Sequence, residues 1–353
     1  ITRAKITLDD SAARSEVVEH GMKPSGQPYK IGYIDLPSFY MDMEAAQGNS
    51  GDFRSTTRDV SIILSDFRQQ EVDAVILDLS RNGGGSLTEA INLTGLFIDR
   101  GPVVQVKDSR GQVQIYEDEV GGVAWSGPLI VMTSKESASA SEILAGAIQD
   151  YERGLIVGDP STHGKGTVQS LIDLGKQLVG APGEWGALKL TIQQFYLPDG
   201  KSTQRQGVMS DLVLPALTAS FDNSEADLDY ALPNDQIRPA RHNDYKMIDS
   251  TILGELRSKS EQRVRESEGF HRLLKRIEAF QLQKDEKFVS LNRDDFLKRR
   301  EELDAQRAEE EKQLEDQVPK KDIFKLDYYN TEILNIARDY IEVVDKLNLA
   351  QAG

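Results

Sequence analysis

The sequence predicts an α/β core followed by a mostly α-helical C-terminal domain, and three observations carry that expectation. Residues 72–79 form a nearly continuous apolar run, Val72-Asp73-Ala74-Val75-Ile76-Leu77-Asp78-Leu79, the pattern of a strand buried on both faces. The run meets a glycine-rich turn, Asn82-Gly83-Gly84-Gly85-Ser86, and then an amphipathic helix to about residue 98, which opens an α/β unit. The unit recurs downstream, whereas the chain beyond about residue 249 is helical in character. The expected division is a core over 1–218, an acidic linker over 219–248 and a helical domain over 249–353.

Taken in order, the alternation in residues 1–8 suits a strand, and a second strand fits 29–36, ended by Pro37. Residues 47–52 are a loop by composition. Val60, Ile63, Leu64 and Phe67 recur at helical spacing, which predicts a helix over about 56–70. After the first α/β unit, 103–106 and 113–116 flank Asp108-Ser109-Arg110-Gly111 and predict a β-hairpin. Residues 128–133 read as a strand, 139–151 as an alanine-rich helix and 155–158 as a further strand. A strand over 187–196 is followed by Pro198-Asp199-Gly200, the signal for another hairpin. In the tail, one helix is expected to about 283, a highly charged one over 294–316, and an amphipathic one over about 329–347.

Composition narrows the function classes. A formal charge of −16 disfavours a general nucleic-acid binder, since phosphate binding needs a basic field. With no cysteine, disulfides, thiolate catalysis and cysteine-ligated metal centres are all excluded. No stretch is long and apolar enough for a membrane span. The chain begins at Ile1 without an apolar signal segment, so it reads as a mature or excised fragment.

Chemistry concentrates at three strand ends. The turn from Gly158 to Gly166 invites a phosphate-loop reading but has five residues between Gly158 and Gly164 where the motif needs four, and Gly166 stands where a hydroxyl must follow the lysine. A lysine between two glycines, Gly164-Lys165-Gly166, is either solvated or projects an amine into a pocket that backbone approaches closely. As a general base it needs burial or nearby positive charge to hold it neutral, and a nucleophile to activate. Ser137-Ala138-Ser139-Ala140-Ser141-Glu142 lies between a buried strand and a helix N-terminus. It reads as a capping box, or as a nucleophile beside the free N–H groups of that helix. Gly83-Gly84-Gly85 is either a tight turn or a source of a backbone N–H for an oxyanion. All three segments follow successive strands, where open α/β sheets bind ligands. Of the four histidines, only His163 lies in this region.

Four motifs then occur in order: Asp78-Leu79-Ser80-Arg81-Asn82-Gly83-Gly84-Gly85, Ser137-Ala138-Ser139-Ala140-Ser141-Glu142-Ile143, Gly164-Lys165-Gly166-Thr167-Val168-Gln169 and Ser202-Thr203-Gln204-Arg205-Gln206-Gly207-Val208. The series resembles the tail-specific, or C-terminal-processing, serine proteases, nearest to the periplasmic branch of Gram-negative bacteria. The resemblance covers about residues 1–215 through motifs, and the tail looks like the C-terminal domain of that branch. It implies a protease core of the crotonase/ClpP-like type and a Ser–Lys dyad. Ser139 would be the nucleophile, Lys165 the base, Gln169 a residue orienting Lys165, and the N–H groups of Gly85 and Ala140 the oxyanion donors. It further implies no cofactor or metal, substrates with apolar or unstructured C-termini, a periplasmic location, and a helical-repeat lipoprotein as adaptor. Relatives also carry a signal peptide, an N-terminal helical region and a PDZ domain upstream. Two departures stand out: the loop before Lys165 is one residue longer with His163 at the family's aromatic position, which makes His163 a rival base, and Ser210 precedes Asp211 where the family has proline.

Two other functions fit the same scaffold. A non-catalytic peptide- or ligand-binding module would lack the nucleophile or base, yet Ser139, Lys165 and Gln169 are all present. A crotonase-like acyl-CoA enzyme would need a basic patch or an acid–base carboxylate, and the acidic composition does not supply the former.

Overall fold

The computed structural model describes residues 11–42, 53–177, 185–286, 288, 290–298, 300–301 and 323–352. Its main sheet has six strands: β1 (Arg14–His20), β2 (Tyr29–Asp35), β3 (Ala74–Asp78), β6 (Leu129–Thr133), β7 (Leu155–Gly158) and β10 (Leu212–Val213), in the order β1-β2-β3-β6-β7-β10. β1 pairs antiparallel with β2, and every other neighbour is parallel. Every residue of β3, β6 and β7 is buried. Their side chains alternate between two cores, as strand geometry requires. Val75, Leu77, Leu129, Val131 and Ile156 face one side, against α1 (Thr56–Gln69), α2 (Leu87–Thr94) and α3 (Ala140–Asp150). Ile76, Ile130, Met132, Leu155 and Val157 face the other.

That second face is covered by the C-terminal helices, α5 (Ser250–Glu266) and α7 (Tyr328–Ala352), through Ile252, Leu256, Ile333, Ile336 and Tyr340. The tail therefore supplies one of the three layers of the α/β core. Arg263 of α5 fastens it to α7 by bonds of 2.8 Å to Glu332 and 2.7 Å to Asp339, both buried carboxylates. The single helix expected to residue 283 is two: α5 ends at Ser267, whose side chain caps α6 (Glu268–Asp285) by accepting from Phe270 N–H. Gly269 allows the break to pack, because a Cβ there would stand 2.4 Å from the Tyr328 ring.

A second, antiparallel sheet runs β5-β4-β9-β8: β4 (Gly101–Asp108), β5 (Val113–Asp118), β8 (Thr167–Asp173) and β9 (Ala187–Tyr196), with the short α4 (Leu174–Gln177) following β8. The β4–β5 hairpin forms as the sequence predicts, with Asp108 Oδ1 accepting from the N–H groups of Arg110 and Gln112. After β9 the chain does turn back on itself, Gly200 N–H donating to Leu197 O at 2.8 Å and Leu197 N–H to Lys201 O at 2.9 Å, but the returning segment forms no strand of its own. Lys201 forms an isolated bridge with Gln236, and the 235–238 segment bonds to Gln105 and Lys107 of β4. Strands β1 and β8 are not foreseen from sequence. The strand expected over 1–8 and the loop over 47–52 lie outside the described residues, as does most of the charged helix expected over 294–316. Residues 219–248 are irregular, with short 3-10 turns at Thr218–Ser220 and Glu225–Asp227.

Candidate active site

The parallel strands β3, β6 and β7 are adjacent, so the segments following them converge beyond the carboxyl ends of the strands. After β6, the small residues of the serine-rich run let the chain fold tightly onto the end of β3. Ser137 Oγ donates to Leu79 O at 2.7 Å and Ser141 Oγ to Asn82 O at 2.7 Å. Between them Ser139 adopts φ +59° and ψ −109°, a backbone conformation costing on the order of 1–3 kcal/mol for a residue with a side chain. The chain keeps that strained turn at the point where Ser139 meets the N-terminus of α3. Ala140 opens the helix, so its N–H has no partner within it.

The glycine turn after β3 is held against this elbow by Asn82, which is fully buried. Its Nδ2 donates to Leu36 O at 2.9 Å and its Oδ1 accepts from Gly84 N–H at 2.8 Å. Gly84 has φ +104°, and a Cβ there would lie 2.7 Å from Ala138 O and 2.9 Å from Ser139 Cβ. Gly85 has φ +148°, and its Cβ would fall 2.2 Å from Phe39 O. These glycines permit close approach in a conformation other residues resist.

The lysine loop follows β7. Gly164 and Gly166 are required for a comparable reason: a Cβ on Gly166 would meet Gln204 N and Ser202 Oγ at 2.7 Å, and one on Gly164 would crowd the Arg205 backbone at 3.0 Å. The close approach expected from the sequence is thus made by the 202–205 segment. Glu142, placed one turn into α3, joins the loop to the elbow. Its Oε2 accepts from Ser139 N–H at 2.8 Å and from Lys165 N–H at 3.0 Å. Its Oε1 accepts from Thr162 Oγ1 and from Gly164 N–H, both at 2.7 Å. One fully buried carboxylate therefore holds the backbone of both Ser139 and Lys165. Burial pushes the Glu142 carboxyl up to about 7, against the four hydrogen bonds that favour its anion. The capping-box reading of Ser139 and Glu142 captured the first of these bonds and missed the other three.

Gly85, Ser139, Ala140, Lys165 and Gln169 all line one cavity of about 510 Å³, together with Phe195 and other residues of β8 and β9. No ion pair ties up Lys165 among the described residues, and no hydrogen bond joins it to Gln169. His163 is absent from the cavity lining. Its Nε2 lies 4.0 Å from Glu225 Oε2, and burial lowers its pKa. A larger cavity of about 770 Å³ lies elsewhere, against Asp99, Arg100, Arg241 and His242, and no serine, threonine or lysine lines it. Among the described residues no group of three His, Cys, Asp or Glu could hold a metal ion, and no helix is long and apolar enough to cross a membrane.

Comparison with known proteins places the chain in a family. Residues 30–214 match peptidase family S41, and residues 221–342 match the C-terminal domain of tail specific protease. The chain belongs to peptidase family S41, among the tail-specific, C-terminal-processing proteases. It is 34% identical to a tail-specific protease of Haemophilus influenzae over 97% of its own length and 48% of that protein's. It is also 34% identical to the chloroplastic carboxyl-terminal-processing peptidase 2 of Arabidopsis thaliana, over 61% of this chain and 37% of the relative. The chain thus spans half or less of the length of both relatives. Among solved structures it aligns with a photosystem II D1 C-terminal processing protease at 30% identity and a TM-score of 0.47, over 60% of this chain and 50% of the other.

Proposed function

We propose that the chain is the catalytic portion of a serine endopeptidase that works through a Ser139–Lys165 dyad and degrades or trims proteins with exposed apolar C-termini. The observation that carries this reading is the shared cavity of Ser139, Lys165, Gly85 and Ala140, with Glu142 tethering both dyad residues by their backbones. Neutral Lys165 accepts the hydroxyl proton as Ser139 Oγ attacks the peptide carbonyl carbon. The carbonyl oxygen becomes an oxyanion, met by the N–H groups of Gly85 and Ala140, and loss of one such donor typically costs about 10²–10³ in rate. The tetrahedral adduct collapses to an acyl-enzyme as the protonated lysine returns its proton to the leaving amine. Water, deprotonated in turn by Lys165, then hydrolyses the ester and regenerates Ser139. Gln169, which lines the same cavity, is assigned to orienting Lys165. By family likeness we place the whole protein in the periplasm, with a helical-repeat lipoprotein as adaptor.

The test is digestion of an unfolded protein with an apolar C-terminus by the parent chain, Ser139→Ala and Lys165→Ala. Cleavage by the parent alone supports the dyad. Cleavage that survives Lys165→Ala moves the base elsewhere, with His163 the first to examine. A parent that cuts nothing, even when the upstream half of the protein is restored, removes the protease reading and returns the binding module.

A further inference from the structure

The loop that carries Lys165 is held from two sides by the protease core, and on one of them the hold runs on into the C-terminal extension. Glu142 grips it from within, through Gly164 N–H and Lys165 N–H. On the opposite side Gly166 N–H donates to Gln204 Oε1 at 2.9 Å, and Gln204 Nε2 donates to Glu225 Oε1 at 2.9 Å. Glu225 N–H in turn donates to His163 O at 2.9 Å. Glu225 therefore bonds through its backbone to one flank of Lys165, residue 163, and through Gln204 to the other, residue 166. Gln204 is fully buried, which makes an unmatched amide there costly. Its orientation is set by the Glu225 carboxylate: Nε2 must face Glu225, so Oε1 must face Gly166.

Glu225 lies beyond the end of the S41 match, in the region matched by the C-terminal domain of tail specific protease. The turn bearing it is itself anchored. Ser224 N–H and Oγ both donate to Asp227 Oδ2, at 2.9 and 2.6 Å. Lys135, four residues before Ser139, donates to Phe221 O and lies 3.7 Å from Asp227. The segment 221–227 is thus bonded both to the nucleophile side and to the base side of the site.

We infer that Glu225 is a positioning residue for the base loop: the C-terminal extension completes the site by fixing the Gln204 amide that holds Gly166, and so the placement of Lys165. This rests on the dyad reading above. It differs from it in assigning the extension a part in the chemical step, acting through Gln204 without touching substrate.

The experiment compares the parent chain with Glu225→Ala, Gln204→Ala, their combination and Glu225→Gln, with thermal melts confirming that each is folded. Turnover of a peptide ending in apolar residues gives kcat and KM, and amide hydrogen exchange reports on Gly166. Glu225→Ala and Gln204→Ala should each lower kcat roughly tenfold with KM little changed, since sub-ångström misplacement of a catalytic group acts on the rate. The combination should be no worse than the poorer single variant, because both break one relay. Glu225→Gln, which still accepts from Gln204 Nε2, should restore most of the activity, and Gly166 exchange should quicken only in the variants that break the relay. The inference is overturned if Glu225→Ala leaves both kcat and Gly166 exchange unchanged, or if Glu225→Gln falls as far as Glu225→Ala. Should the parent and Lys165→Ala prove equally active, or equally silent even with the upstream half of the protein restored, the dyad reading fails, and the exchange data alone then decide whether Glu225 holds the loop.

Discussion

Replacing Glu142 by glutamine isolates the carboxylate that joins the two halves of the site. Four donors converge on it: the N–H groups of Ser139, Gly164 and Lys165 and the Thr162 hydroxyl. An amide has the same shape but only one acceptor oxygen. Its better orientation keeps that oxygen on Ser139 and Lys165 and turns the NH₂ toward Thr162 and Gly164. The Thr162 hydroxyl can rotate to accept, whereas the Gly164 N–H is left buried and unpaired, at about 1–3 kcal/mol. Each kcal/mol corresponds to roughly 2–4 °C in Tm for a domain of this size. The loop that carries Lys165 is then free to shift, and kcat should fall by about ten- to a hundredfold. Denaturant titration with peptide turnover reads both effects. A Glu142→Gln variant with unchanged unfolding midpoint and turnover within twofold of the parent would refute the idea that this carboxylate fixes the loop.

The remaining predictions concern protonation, packing and the C-terminal layer. Unfolded, Glu142 ionises near 4.5; folded, burial moves that to about 7, so the folded chain holds a proton across this range that the unfolded chain has released. Its contribution to stability is therefore present at low pH and lost as pH rises toward 7, by up to about 3 kcal/mol. Asp150, pushed up to about 6, titrates in the same window, so the quantity to measure is the parent-minus-Glu142→Gln difference in unfolding free energy against pH; a flat difference contradicts the assignment. Activity should rise through pH 7 as Glu142 becomes a full acceptor. Gly84→Ala combines φ +104° with a Cβ 2.7 Å from Ala138 O and should cost about 1–3 kcal/mol, along with most turnover; a variant that melts and cleaves like the parent would show that the elbow tolerates displacement. Arg263→Ala leaves Glu332 buried without its cation, while Asp339 keeps Arg338 at 3.0 Å, and should destabilise by about 3 kcal/mol or more; an unchanged denaturation midpoint would mean that α5 and α7 do not depend on this pair.

What could be read from the sequence was what local pattern encodes. β3, β6 and β7 declare themselves because strands buried on both faces leave unbroken apolar runs, and the turns after them carry glycine and serine for steric reasons that any chain must meet. The triple glycine, the serine-rich run and the Gly-Lys-Gly loop could accordingly be singled out; the family resemblance then picks Gly85, Ser139, Ala140, Lys165 and Gln169, and the structure brings these round one cavity. Asn82, Glu142, Gln204 and Glu225 escaped because their work is done on backbone N–H groups distant in sequence, and no spacing rule connects residue 225 to residue 163. Glu142 gave half a signal, as the acidic member of a capping box. β8 was missed because it is an edge strand of mixed polarity directly after a glycine pair, and the break at Ser267 because helical periodicity continues on both sides of it. The tail's place as a layer of the core was equally hidden: an amphipathic helix shows that it has a buried face, not what that face covers.

The central claim is that Ser139 becomes acylated with Lys165 as its base, and the acyl-enzyme itself tests this most directly. A small activated ester, such as a p-nitrophenyl ester of an apolar acyl group, needs no extended binding surface and leaves its acyl group on an activated serine. Mixed with the chain, it should give a burst of p-nitrophenol equal to the chain concentration and an acyl adduct that peptide mapping assigns to Ser139. Both should be lost in Ser139→Ala and in Lys165→Ala, with the burst rate in the parent rising with pH. Acylation at another residue, or at Ser139 with an unchanged rate in Lys165→Ala, would contradict the account.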